Sequence, residues 1–224
     1  MKKHGFTLAE VLITLAIIGV VASLTLPALM ANVQEQQTVT ALKKATNTLV
    51  EAATMNAANE GFDFNDVDGF GDPDNIKDDQ GRANRTVWGI LGTNANIDMA
   101  RSSSSEIVFK DGTSILSRTD ANCGTRRDSG ISHSIGLTFD ATGPKNPNAN
   151  SECTASSGVT SCADKRTRSV KDRINICVGG TSVWGADGVA NWALTGAGTS
   201  NQTSGDMVLN NKTTNNNNGG GSGS

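Results

Sequence analysis

The stretch GFTLAEVLITLAIIGVVASLTLPAL, Gly5 to Leu29, decides how the rest of the chain is read. About 20 consecutive apolar residues cross a bilayer as a helix, and Val11 to Met30 supplies such a run with only Thr14, Ser23 and Thr25 as mild interruptions. Glu10 stands at the front of it, among Phe6, Leu8, Val11 and Leu12. A carboxylate at membrane depth costs about 2.5–3.5 kcal/mol at a helix centre, which marks Glu10 as a functional residue. Lys2 and Lys3 precede the run and the next basic residue is Lys43. The positive-inside rule therefore places the N-terminus in the cytoplasm and the bulk of the chain outside it, across the membrane.

A conventional secretory signal fits less well. Its apolar core runs about 7–15 residues before a small-x-small cleavage site. Here the core is longer, Glu10 interrupts its start, and Leu29-Met30-Ala31 is a poor site. A plain single-pass anchor explains the length but not Gly5, Phe6 and Glu10 together. Pro27 alone is weak evidence, because a proline can simply kink a helix.

Taken together, this N-terminus resembles that of type IV pilins and type II secretion pseudopilins. The resemblance rests on Gly5 followed by Phe6-Thr7-Leu8, Glu10 as the fifth residue from Phe6, the AIIGVVA run at Ala16 to Ala22, and Pro27. It covers about the first tenth of the chain, and Ala9 departs from it, where a bulkier aliphatic is commoner. The resemblance implies cleavage after Gly5 by a prepilin peptidase and N-methylation of Phe6. It also implies assembly with other pilin or pseudopilin subunits on an inner-membrane platform, into a type IV pilus or a secretion pseudopilus. Phe6, Glu10 and Pro27 are then assembly residues, with Glu10 of an incoming subunit neutralising the Phe6 amine of its neighbour.

Beyond Pro27 the helical signal continues. Val39, Leu42, Thr46, Leu49 and Ala53 recur at three- and four-residue spacing, opposite Gln36, Thr40, Lys43, Lys44, Asn47 and Glu51. No glycine or proline intervenes until Gly61, a suitable C-terminal cap. One helix is therefore expected over 6–60, its apolar half at 6–31 and its amphipathic half at 32–60. A leader at 1–5, a globular extracytoplasmic domain at 61–209 and a disordered Asn/Gly/Ser tail at 210–224 complete the division. The fold class expected is α+β: a long N-terminal helix packed on a small antiparallel sheet, with a loop-rich C-terminal region.

Within the globular part, Gly61 to Gly81 is acidic. Asp66, Asp68, Asp72 and Asp74 are the candidate ligands of a calcium loop, since Ca²⁺ takes flexible carboxylates and carbonyls. The EF-hand spacing fails, because Phe64 falls on the first ligand position and no Glu follows at the required distance. A solvated acidic loop explains the composition as well. Trp88, Ile90 and Leu91 suggest a short element tucked on the helix. Asp111-Gly112 between apolar runs predicts a two-residue hairpin. Alternation of Ile131, His133, Ile135, Leu137 and Phe139 predicts a strand that buries His133, and Arg173 to Val178 predicts another, with Asp140 to Asn150 as loop between them. Trp184, Trp192 and Leu194 read as core or edge packing.

Four cysteines in a segment expected outside the cytoplasm point to two disulfides. The nine-residue step from Cys153 to Cys162 suits local closure, which leaves Cys123 with Cys177; three connectivities are formally open.

Catalysis has little to draw on: there is no GxSxG, HExxH or CxxC, and beyond the leader His133 is the one histidine. An enzyme is not expected, nor a cofactor other than calcium. The formal net charge of −3 argues against general nucleic-acid binding. Lys165, Arg166, Arg168, Lys171 and Arg173 form a basic cluster that a solvated loop explains better than DNA contact. A structural filament subunit is therefore the reading, with the length and irregular C-terminal region favouring a minor or tip-associated one. The alternative is an adhesive or DNA-binding module displayed by the filament.

Overall fold

The computed structural model describes residues 7–118, 123, 131–144, 149–153, 162 and 168–196. The leader, Phe6, Lys165, Arg166 and the tail expected at 210–224 lie outside the described residues.

Helix α1 runs unbroken from Leu8 to Glu60, 53 residues or roughly 80 Å at the usual rise. It passes through Pro27 without a break in the helix. It ends where glycine permits: Gly61 takes the left-handed conformation at φ 77°, and its amide bonds the Ala57 carbonyl. The three polar interruptions of the apolar half satisfy themselves inside the helix. Thr14 and Ser23 donate their hydroxyls to the carbonyls of Val11 and Val20 at 2.9 and 2.8 Å, and Thr25 to that of Val21 at 3.1 Å.

The amphipathic half buries the expected stripe. Leu42, Thr46, Leu49 and Ala53 are fully buried, while Thr40, Lys43, Lys44, Asn47 and Glu51 are exposed. Helix α2, Val87–Asn94, packs across it with Trp88, Ile90 and Leu91 buried. The Thr86 hydroxyl caps α2 by accepting from the Gly89 amide at 2.9 Å. Side chains at Gly89 are excluded, because a Cβ there would lie 1.9 Å from the Asn84 carbonyl oxygen.

A five-stranded antiparallel sheet covers the same core. Its strands are β1 (Glu106–Val108), β2 (Ser114–Ser117), β3 (Ile135–Asp140), β6 (Arg173–Gly179) and β7 (Ser182–Gly185), in the order β1-β2-β3-β6-β7. Between β3 and β6 the chain makes a separate two-stranded ribbon, β4 (Glu152–Cys153) with β5 (Arg168–Ser169). Helix α3, Gly188–Thr195, follows β7 and is capped by Asp187, whose carboxylate accepts from the Ala190 amide. Ile174, Ile176 and Val178 face the main core with Leu137 and Phe139. On the other face of β6, Cys177 joins Cys123, Ile131 and Trp184 in a second, smaller cluster.

The α+β expectation is met, with four local corrections. The hairpin from β1 to β2 has a three-residue loop, not two. Gly112 sits at φ 95° with its amide on the Phe109 carbonyl, and the Phe109 amide reaches the Thr113 carbonyl at 2.8 Å. Asp-Gly serves here as the end of a turn closed by a left-handed glycine, an arrangement common to three-residue loops. Strand β3 begins at Ile135, and His133 is exposed. The amides of Ser132 and His133 donate to Asn65 Oδ1 at 2.8 and 2.9 Å, which pulls this segment off the sheet and out of the alternation. Asp140 is the last residue of β3, fully buried and paired with Arg173 at 2.8 Å, so the loop starts after it. The acidic segment is not wholly solvated: Phe62, Phe64 and Val67 anchor it in the core.

Candidate functional site

Thr7 and Glu10 build the start of α1. Glu10 occupies the third helical position, and its Oε2 accepts both the Thr7 amide and the Thr7 hydroxyl at 2.8 Å. The Thr7 Oγ1 in turn accepts from the Glu10 amide at 3.3 Å. This reciprocal pair satisfies donors that a helix start otherwise leaves open, and it sets a carboxylate where the helix dipole favours one. The T-x-x-E spacing ahead of an apolar run carried this signal in the sequence. It passes unnoticed when Glu10 is weighed only as a charge in the membrane.

Among the described residues nothing packs on the front of the helix. Leu8–Leu26, 19 residues, is long and apolar enough to cross a membrane, and none of it is buried. Leu8 and Leu24 are 79% and 76% exposed, more than any buried stripe would allow. Leu29, Met30 and Val33 extend the exposed apolar surface past the span. In water such a surface requires a lipid or protein partner. The processing pair Gly5 and Phe6 lies outside the described residues, and Pro27 lies within α1.

The four cysteines pair as Cys123–Cys177 and Cys153–Cys162, with Cα atoms 5.7 and 5.8 Å apart. The first pins the segment before β3 to β6. The second closes the ribbon loop beside Arg168, since Cys153 and Arg168 face each other in the β4–β5 register.

Two members of the basic cluster are tied into the fold. Arg168 is paired with Glu35 of α1 at 2.8 Å and Arg173 with Asp140 at 2.8 Å, both in partly buried positions.

Asp66, Asp68, Asp72 and Asp74 are spread along the loop. Asp72 caps the 3-10 turn Pro73–Asn75 by accepting from the Asp74 amide. The Asp68 amide bonds the Arg85 carbonyl at 2.9 Å, which fixes its backbone. Among the described residues no group of three acidic, histidine or cysteine side chains is gathered to hold a metal ion. Asp78 does the most local organising: it accepts from the Arg82 and Gln80 amides and from the Arg82 guanidinium. The Arg82 amide and those further bonds hold its carboxyl below the usual aspartate range.

Residues 1–26 match the family model of the prokaryotic N-terminal methylation motif, the motif of type IV prepilins and pseudopilins. No curated protein and no solved structure matches the chain.

Proposed function

We propose that this chain, which carries the type IV prepilin motif, is a structural subunit of a type IV pilus or a type II secretion pseudopilus. In this reading a prepilin peptidase cuts after Gly5 and Phe6 becomes the N-methylated first residue. The front of α1 first sits in the inner membrane, with the globular part on the far side, and then enters the filament.

The observation that carries the proposal is the exposed apolar half of α1, Leu8–Leu26, continuous with a helix that from Thr38 onward buries one face in a folded body. A simple anchor needs neither the motif nor a rigid continuation. A polymer built on parallel helices uses both: the apolar half supplies the buried contact and the continuation fixes where each body sits. Glu10 is the one acidic side chain of the span, and an opposite charge on a neighbour would offset the cost of burying it. A DNA-binding role draws less support, because Arg168 and Arg173 are already tied to Glu35 and Asp140.

The test compares membrane-bound and filament-incorporated subunit for Glu10→Ala. Insertion is expected to hold and incorporation to fail. Wild-type incorporation would remove the carboxylate from assembly, and N-terminal mass spectrometry showing retention of residues 1–5 would remove the processing step.

A further inference from the structure

Arg168 touches three separate parts of the molecule at once. Its Nε and Nη2 both donate to Glu35 Oε1 on α1, at 3.1 and 2.8 Å. Its Nη1 donates to the Cys162 carbonyl at 3.3 Å. Its guanidinium carbon lies 3.4 Å from the ring centroid of Trp192 on α3. The Arg168 side chain is only 9% exposed and that of Glu35 18%. A planar guanidinium that stacks on indole while its edge nitrogens donate satisfies both faces of its chemistry in one rotamer, which a lysine could not do.

The position of this contact gives it a role. Glu35 stands at the point where α1 leaves the body: from Thr38 onward one face of the helix is buried, while Asn32, Val33 and Gln34 before it are exposed. Beside it lies an open cleft of about 760 Å³ between α1 and the body, lined by Leu29, Asn32, Gln36 and Val39 with the clamp residues themselves. Close packing is therefore loose at this level, and the Arg168–Glu35 contact bridges the cleft from the body to the stem. The clamp is in turn held from behind. Arg168 is opposite Cys153 in the β4–β5 ribbon, and its third partner is the carbonyl of Cys162, the other half of the same disulfide.

We propose that the Cys153–Cys162 disulfide is a conformational lock on α1: it fixes the ribbon so that Arg168 can clamp Glu35 against Trp192, and without it the stem of α1 is released from the body. The lock couples a covalent bond to the direction in which the helix emerges. It is independent of what the helix is used for.

Amide hydrogen exchange on the full chain in detergent micelles tests the proposal. Cys153→Ser/Cys162→Ser is expected to speed exchange at residues 32–40 by about tenfold or more. Arg168→Lys, which keeps the charge but loses the fork and the stack, is expected to do the same. Combining the two should add no more than about twofold, because both act through one contact. Stem exchange within twofold of wild type in either variant would overturn the proposal. So would effects that multiply in the combination. Faster exchange at 49–56 in Arg168→Lys would also count against it, since the contact would then hold the body as a whole.

Discussion

The Glu10 carboxylate and Thr7 hold each other across the first turn of α1, through a shared pair of 2.8 Å bonds to Glu10 Oε2. One carboxylate thus has two separable jobs, closing a helix end and carrying a charge. Glu10→Gln keeps an acceptor oxygen for Thr7 and loses the charge. It is expected to preserve the helix start but to fail in filament incorporation as Glu10→Ala does. Thr7→Val loses the hydroxyl cap and keeps the charge, costing about 0.5–2 kcal/mol of local helix stability, with incorporation largely retained. Immunoblots of sheared filaments against total membrane subunit check both; incorporation of Glu10→Gln at wild-type level would mean that capping is the whole role of the residue.

The two disulfides should differ in weight. Cys123–Cys177 spans 54 residues and Cys153–Cys162 nine. In the chain-entropy model the longer closure contributes about 4 kcal/mol and the shorter about 2.5–3. Urea unfolding of the full chain in nonionic micelles, followed by tryptophan fluorescence, is expected to show a larger loss for Cys123→Ser/Cys177→Ser than for the other pair. The difference is reinforced by the buried cluster with Ile131 and Trp184 that the first bridge completes.

Lys44 ties α1 to the hairpin tip at Asp111, at 2.8 Å. Partial burial pushes the Asp111 carboxyl up, but the Lys44 ammonium and the Thr113 amide and hydroxyl outweigh it, and the net displacement is downward. An aspartate held below its unfolded value of about 3.9 contributes stability that is complete above that pH. The contribution is lost as pH falls through the lower folded value. Asp111→Asn should therefore lower stability at pH 7, converge on wild type in acid, and so flatten the acid limb of the profile below about pH 4. The Lys44 side chain is 67% exposed, so the pair contributes at most about 1 kcal/mol. An unchanged acid limb in the variant would refute the assignment.

Gly89→Ala is expected to destabilise the body by about 1–3 kcal/mol, the usual range for overpacking. The added methyl would meet backbone, the Asn84 carbonyl at 1.9 Å, which has no rotamer to yield. A lowered midpoint without a changed slope in urea is the expected signature. Gly69→Ala, where a Cβ meets nothing within 4 Å, is the matched control.

What could be read from the residues was whatever repeats locally. Spacing of three and four along α1 announced both its length and its buried stripe, and Gly61 announced its end. Alternation located β3 and β6. The cysteine pairing followed from one short step. What escaped was set by partners far away in the chain. His133 left the sheet because Asn65, 68 residues earlier, captures its amide. Arg168 looked like a solvated charge because Glu35, 133 residues away, cannot be foreseen from its neighbours. Phe64 was hidden among aspartates, yet it is fully buried. At the site itself the motif was legible, while the bond between Thr7 and Glu10 was overlooked for the opposite reason: a strong signal of one kind drew attention from a weaker one three residues wide.

The unbroken length of α1 makes the molecule a lever. From Glu35 to Leu8 the helix runs about 40 Å at 1.5 Å per residue. A tilt of about 10° at that fulcrum would carry the far end sideways by about 7 Å, close to the 8–10 Å that separates the axes of two packed helices. A small angular error at the body therefore becomes, at the other end, an error the size of a neighbouring helix. Stiffness at a single guanidinium is amplified into positional accuracy four nanometres away.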